Sequence, residues 1–292
     1  MVQEIIVFHA GSLSHVFQQM AMTFENQNPG VKVNLEGSGA RLVARKVIDQ
    51  KRPCDIVASA DYEIIDSMLM PDYAKFNIHF ARNKLVLYFT DQSRYANEIN
   101  ADNWFEILLR PTVKYGHTDM ELDPTGYRAR MCWQLAEKYY HKDGLYSALV
   151  ENILPTNILT ERETISSRLI SGELDYFFGY ESGARQNGYR FVKLPEAINF
   201  SSFKYAKYYQ QAEIILSGKK PGTFMTLTGK PIIYGVTLVE KAPNREVAIQ
   251  FIEFVLEAGM PFLQNSGLIP LSPPMISNSD LVHLPPQLRR FF

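Results

Sequence analysis

The stretch 4-EIIVFHAGSLSHVFQQMAMTFENQNPG-30 changes period partway along. Residues 4–10 are a short apolar run rich in β-branched side chains, which reads as a buried strand. Gly11-Ser12 supplies a tight turn. From there Leu13, Val16, Phe17, Met20 and Phe24 recur at helical spacing, and Asn-Pro-Gly at 28–30 stops the helix. The pattern then repeats. An alternating strand, 31-VKVNLEGSGA-40, runs into a second Gly-Ser turn and a helix at 41–50, and a third strand, 55-DIVASA-60, is followed by Asp61 and another helix start. Three strand–turn–helix units in succession predict a parallel sheet with helices on its faces. Ligands of such sheets sit at the carboxyl ends of the strands, and both Gly-Ser turns fall there, so Ser12 and Ser38 are expected at one edge.

A strand at 83-NKLVLYF-89 breaks the rhythm. Beyond it the spacing predicts a helix at 103–109, a strand at 112–118, a helix from about Tyr127 to Tyr140, a helix from about Glu161 to Ile170 and a strand at 174-LDYFFGY-180. After 195 the chain meanders, re-forms strands at 212–216 and 231–238, and ends its regular structure with a helix at 244–257. With no repeat and no low-complexity linker, 292 residues divide into two α/β lobes: 1–82 as the first, 83–210 as the second, and 211–292 returning to the first.

Lys and Arg number 30 against 31 Asp and Glu, a net charge of −1, so no global field draws nucleic acid or an anionic membrane. No basic cluster interleaves with the aromatics, and no nucleic-acid partner is expected. No run approaches the roughly 20 apolar residues of a membrane span. The start lacks a basic region followed by an apolar segment, so a signal segment is expected to be absent from this chain. Cys54 and Cys132 read as two buried thiols, and the six histidines show no ligand spacing for zinc.

Either Gly-Ser turn is explained by a serine N-cap, or by a hydroxyl that works with nearby N–H groups as an oxyanion nest. The stretch 119-DMELDPTGYRAR-130 poses a similar choice. Asp123 followed by Pro124 reads as an N-cap with proline at the first helical position, yet the same helix start attracts anions. No lysine stands at a phosphate-loop position and the glycines do not follow GxGxxG, so no nucleotide cofactor is expected. His9 and His15 flank Ser12, but nothing orients either as a base, and no catalytic serine is expected. Arg128 is expected to pair with local carboxylates or to stabilise its loop, with a ligand contact as the alternative, Asp55 and Asp61 to act as caps, and Tyr139, Tyr140 and Tyr146 to pack.

Taken together, FHAGSL, EGSGA, DIVASADY, DPTGYR, SGELDYFFGY and TGKPIIYGVTL resemble, in order and over nearly the whole chain, the archaeal-type molybdate/tungstate-binding proteins. These are the substrate-binding components of ABC transporters. DPTGYR and SGELDYFFGY are the most specific of the six. The resemblance implies a two-lobed periplasmic-binding fold of type II, α/β, each lobe a mixed, mainly parallel sheet flanked by helices, with the ligand cleft between the lobes. It implies a molybdate or tungstate ligand with no other cofactor, an ABC permease as partner, a monomer, an extracytoplasmic location and no catalysis. Ser12 and Ser38 match the family's oxyanion-binding serines, Asp123 the carboxylate that reaches the metal itself, and Tyr180 the tyrosine whose hydroxyl touches the ligand. A carboxylate there would repel sulfate or phosphate and favour a metal that expands its coordination shell.

One position departs from the pattern. The family's second metal-reaching glutamate lies ten residues before the glycine of SGELDY, and ten before Gly172 stands Arg162, between Glu161 and Glu163. Thr160 and Glu163 also read as a capping box, with Glu161 or Arg162 left to face the ligand. An inward Arg162 would pair with a four-coordinate oxyanion directly. A sulfate- or phosphate-type binder, or an enzyme on the same scaffold using Asp123 and a nearby Glu as acid and base, are the competing expectations.

Overall fold

The computed structural model describes residues 2–160 and 163–292. They fall into two compact units, Met1–Arg82 with Ile233–Phe292, and Asn83–Ile232. In chain order the first unit opens with β1 (Gln3–Ala10), α1 (Ser14–Gln27), β2 (Val31–Ser38), α2 (Ala40–Ile48), β3 (Ile56–Ser59), the short α3 (Tyr62–Ile64) and β4 (Ile78–Arg82). The second unit begins with β5 (Leu85–Phe89), α4 (Trp104–Leu108), β6 (Tyr115–Thr118), α5 (Pro124–Tyr139) and α6 (Leu145–Asn152). It continues through β7 (Ile158–Leu159), α7 (Glu163–Ile170), β8 (Tyr176–Tyr180), α8 (Glu181–Asn187), β9 (Arg190–Lys193), α9 (Ala206–Tyr209), β10 (Glu213–Ser217) and β11 (Phe224–Thr228). The chain then returns to the first unit with β12 (Ile233–Leu238), α10 (Arg245–Leu256), α11 (Met260–Asn265), β13 (Ile269–Met275) and α12 (Asn278–Leu281).

The first unit is a six-stranded sheet of order β13-β4-β12-β3-β1-β2, and the second a five-stranded sheet of order β7-β6-β8-β5-β9. Both are mixed. The parallel pairs are β2–β1–β3 and β7–β6–β8, where strand–turn–helix units feed the sheet. Strands β12, β13, β5 and β9 run antiparallel to their neighbours, so the parallel share is smaller than the opening units imply.

The predicted helix after the first turn is α1, and its apolar stripe is the buried face: Val16, Phe17 and Met20 have no exposed surface. The stripe packs on α10 through Phe17 and Phe24, each edge-on to Phe251 at centroid distances of 6.3 and 5.2 Å. Burying each such ring contributes about 1.5–3 kcal/mol. Asp61 is the expected cap, accepting from the Glu63 N–H at 3.1 Å. Asp55 is not a local cap. Fully buried, it accepts from Ile6 N at 2.8 Å and Asn244 N at 2.7 Å, tying β1 to the start of α10.

The return to the first unit comes at 233, not 211. The β10–β11 hairpin belongs to the second unit because its backbone is held by α5: Gln134 donates to the Glu213 carbonyl and Lys138 to the Gln211 carbonyl, each at 2.9 Å. Cys54 and Cys132 are buried and unbridged, and burial pushes the Cys54 thiol up to about 12.

Candidate binding site

In the first unit, β1 and β2 pair in parallel with Ala10 opposite Ser38, which places Ser12 and Ser38 at one carboxyl edge of the sheet. Neither serine caps its helix. The cap of α1 is Leu13 and that of α2 is Gly39, and neither makes a side-chain cap bond. The capping explanation therefore leaves both hydroxyls unaccounted for. Ser12, nearly buried, shares a hydrogen bond of 2.9 Å with the Tyr234 hydroxyl. Ser38 Oγ is shielded from solvent and has no hydrogen-bond partner among the described residues. An unsatisfied buried hydroxyl costs about 1–3 kcal/mol, which a ligand oxygen would offset.

The turn around the serines is packed tightly. A Cβ on Gly37 would come within 2.7 Å of His9 Cε1 and 2.8 Å of Ser14 Oγ, so only glycine lets β2 approach there. His9 itself is buried, and burial lowers its pKa, so the ring is neutral. Its Nδ1 lies 2.9 Å from the Ala10 carbonyl, which can only accept, so Nδ1 carries the proton.

In the second unit β6 and β8 pair in parallel, so the loop after Thr118 and the end of β8 at Tyr180 share the carboxyl edge of that sheet. Asp119 organises the approach, accepting from Glu121 N at 2.7 Å, while its carbonyl receives Asp123 N at 3.0 Å. Asp123 is the N-cap of α5: its Oδ1 accepts from Thr125 N at 2.8 Å, with Pro124 at the first helical position. The helix starts at Pro124 rather than near Tyr127 because the cap and proline nucleate it three residues earlier. Gly126 lies against β6, where a Cβ would overlap the Thr118 carbonyl oxygen. Tyr180 is fully buried and its carbonyl accepts from Tyr88 OH, whose ring fills the space left by Gly179 and Gly183. Glu161 and Arg162 lie outside the described residues, as does the capping box expected there; α7 is described from Glu163.

Behind this edge stands a second neutral histidine. His117 is fully buried; its Nδ1 donates to the Thr118 carbonyl at 2.7 Å, and its Nε2 accepts from Arg130 Nε at 2.9 Å. Burial, with the Arg130 charge adding to it, lowers its pKa to about 4. A base depressed in the folded state protonates more readily when unfolded, so its contribution is present above about 6.5 and lost as pH falls towards 4. The stability advantage of the wild type over His117→Gln is expected to shrink by about 3 kcal/mol between pH 7 and pH 4. Urea midpoints across that range check this.

Three residues were not legible as site candidates. Arg41, in the first turn of α2 beside Ser38, is fully buried. Thr118, at the end of β6, is buried with no partner for its hydroxyl among the described residues. Tyr234 meets Ser12 across 222 positions of chain, a separation no local pattern signals. Arg128 donates to the Lys230 carbonyl and lies 5.2 Å from the Phe200 ring centre. A cavity of about 580 Å³ in the first unit, lined in part by Val47, Cys54, Tyr73 and Val239, opens at the amino end of β3, away from both serines.

At the carboxyl edge of the first unit's sheet the Ser38 hydroxyl is buried without a partner and Ser12 is held by Tyr234, both beside helix starts, and no serine with an oriented base occurs there among the described residues. The chain belongs to the bacterial extracellular solute-binding protein family, whose model matches residues 5–269. It is 46% identical over 272 residues to a solute-binding protein of Petrotoga mobilis, covering 93% of this chain and 85% of that one. It is 41% identical over 290 residues to the molybdate/tungstate-binding protein WtpA of Thermococcus kodakarensis, covering 89% and 80%. The periplasmic molybdate-binding protein of Azotobacter vinelandii has the same fold, with a TM-score of 0.65 at 16% identity over 91% of this chain and 98% of that one. The fold is thus the two-lobed α/β fold of periplasmic binding proteins, and the family consists of transport proteins rather than enzymes.

Proposed function

We propose that this protein binds a tetrahedral metal oxyanion, molybdate or tungstate, and delivers it to the permease of an ABC transporter. The observation that carries the reading is the pair of serines: placed by register at one sheet edge, freed from capping, one with a buried and unsatisfied hydroxyl. An oxyanion accepts hydrogen bonds only, which suits neutral donors of this kind. The relative from Thermococcus kodakarensis, similar over most of the chain, supports the choice of anion.

Ser12, Ser38 and Tyr180 are assigned as donors to the oxyanion, and Asp123 as the carboxylate that reaches the metal. Asp123 Oδ1 is engaged by Thr125 N, as a cap requires. A carboxylate has roughly four lone-pair sites, so capping and ligation are compatible. Glu161 is the second proposed carboxylate, and Arg162 the alternative contact at that position. The anion is cargo and no resident cofactor is proposed. The protein is read as an extracytoplasmic monomer.

Calorimetric titration with tungstate, molybdate, sulfate and phosphate at matched ionic strength tests the reading. Binding of the first two, with the others silent, is expected. Binding of sulfate or phosphate instead would leave Asp123 as a cap and make Arg162 the expected anion contact. No heat from any of the four would overturn the proposal.

A further inference from the structure

Resting on the oxyanion reading above, we propose that Tyr234 is a positioning residue, whose hydroxyl holds the Ser12 hydroxyl as an obligatory donor to the bound anion. The two oxygens lie 2.9 Å apart and both side chains are buried, Tyr234 completely. The contact is built by the fold. Tyr234 stands near the start of β12, which runs antiparallel to β3, so it lies at the carboxyl edge of the parallel strands where Ser12 sits.

The pairing of β12 with β4 shifts register between Tyr234 and Gly235. Bulges of this kind re-aim a side chain, and they recur beside functional sites. Gly235 is itself required, since a Cβ there would overlap Asn77 Oδ1 and lie 3.2 Å from Ile65 Cδ1. The Phe80 ring, 6.2 Å away and nearly perpendicular, fixes the phenol plane.

The chemistry follows from the donor inventory. A serine hydroxyl has one proton and two lone pairs and rotates to suit its neighbours. A phenol is the stronger donor of the pair, so Tyr234 gives its proton to Ser12 Oγ. Ser12 then has its proton left for an acceptor, and the chain of two bonds strengthens that donation. Without the phenol oxygen, the Ser12 hydroxyl turns freely and must be ordered when the anion arrives.

The test is a double-mutant cycle read by titration with tungstate and molybdate, using the wild type, Tyr234→Phe, Ser12→Ala and the double variant. Phenylalanine keeps the ring against Phe80, and thermal unfolding of each protein reports any general loss of structure. Tyr234→Phe is expected to weaken binding about five- to tenfold in the wild-type background. In the Ser12→Ala background it is expected to change nothing. An equal loss in both backgrounds, or no loss in the wild type, overturns the inference while leaving the oxyanion reading intact. A wild type that binds neither anion overturns both.

Discussion

Replacing Asp123 by Asn is expected to weaken tungstate and molybdate binding about a hundredfold, near 3 kcal/mol, without unfolding the protein. The choice of asparagine separates two roles. Asp123 caps α5 through the Thr125 N–H, and asparagine is as good an N-cap, so the helix start survives. What goes is the negative charge and the hard oxygen donor proposed to reach the metal. Sulfate and phosphate, no longer facing a fixed carboxylate, should gain affinity in the same variant. Asp123→Ala removes the cap as well and should lose a further ~1 kcal/mol of stability. Titration and urea unfolding of both variants separate these effects. If Asp123→Asn bound tungstate as tightly as the wild type, the carboxylate would be a cap alone.

The second large effect falls on Gly126. In a helix, alanine is ordinarily better than glycine by about 1 kcal/mol. Here the sign is expected to reverse, with Gly126→Ala costing about 3 kcal/mol. The added methyl would overlap the Thr118 carbonyl oxygen and stand 2.9 Å from the Met120 nitrogen, both backbone atoms with little room to yield. Relief requires lifting the first turn of α5 off the end of β6, which also displaces Asp123. The variant should therefore lose stability and anion affinity together. A gain in urea midpoint would show that the close approach is softer than the packing indicates.

Much of the first unit was legible because its signals are local. The switch from β-branched runs to helical spacing across Gly11-Ser12 and Gly37-Ser38 marks β1, α1, β2 and α2 within a residue or two. Other elements depended on partners far along the chain. Residues around 83–89 read as one strand, but an unseen strand, β4, ends at Arg82, and β5 begins at Leu85 in a different sheet. Strand β13 carries Pro270, Pro273 and Pro274 and gives no strand signal; it exists because it lies at a sheet edge, where missing N–H groups are tolerated. Nothing in 211–232 itself signals membership of the second unit, because the anchors of the β10–β11 hairpin, Gln134 and Lys138, sit on α5, far earlier in the chain. In the site, Ser12, Ser38, Asp123 and Tyr180 stand out through their turns and motifs, whereas Tyr234 acquires meaning only once β12 is laid beside β3.

That late arrival of β12 has a consequence for how the protein is made. The second unit is one uninterrupted segment, Asn83–Ile232. The first is a host with a guest inserted in it, and the strand that belongs between β3 and β4 comes after the guest. Until β12 pairs, the outer sheet is split between β3 and β4, and each of those strands keeps an unpaired edge. Such edges invite pairing with other chains. The interval in which the chain is open to mispairing therefore lasts until the inserted unit lets β12 reach the gap between β3 and β4, wherever folding takes place.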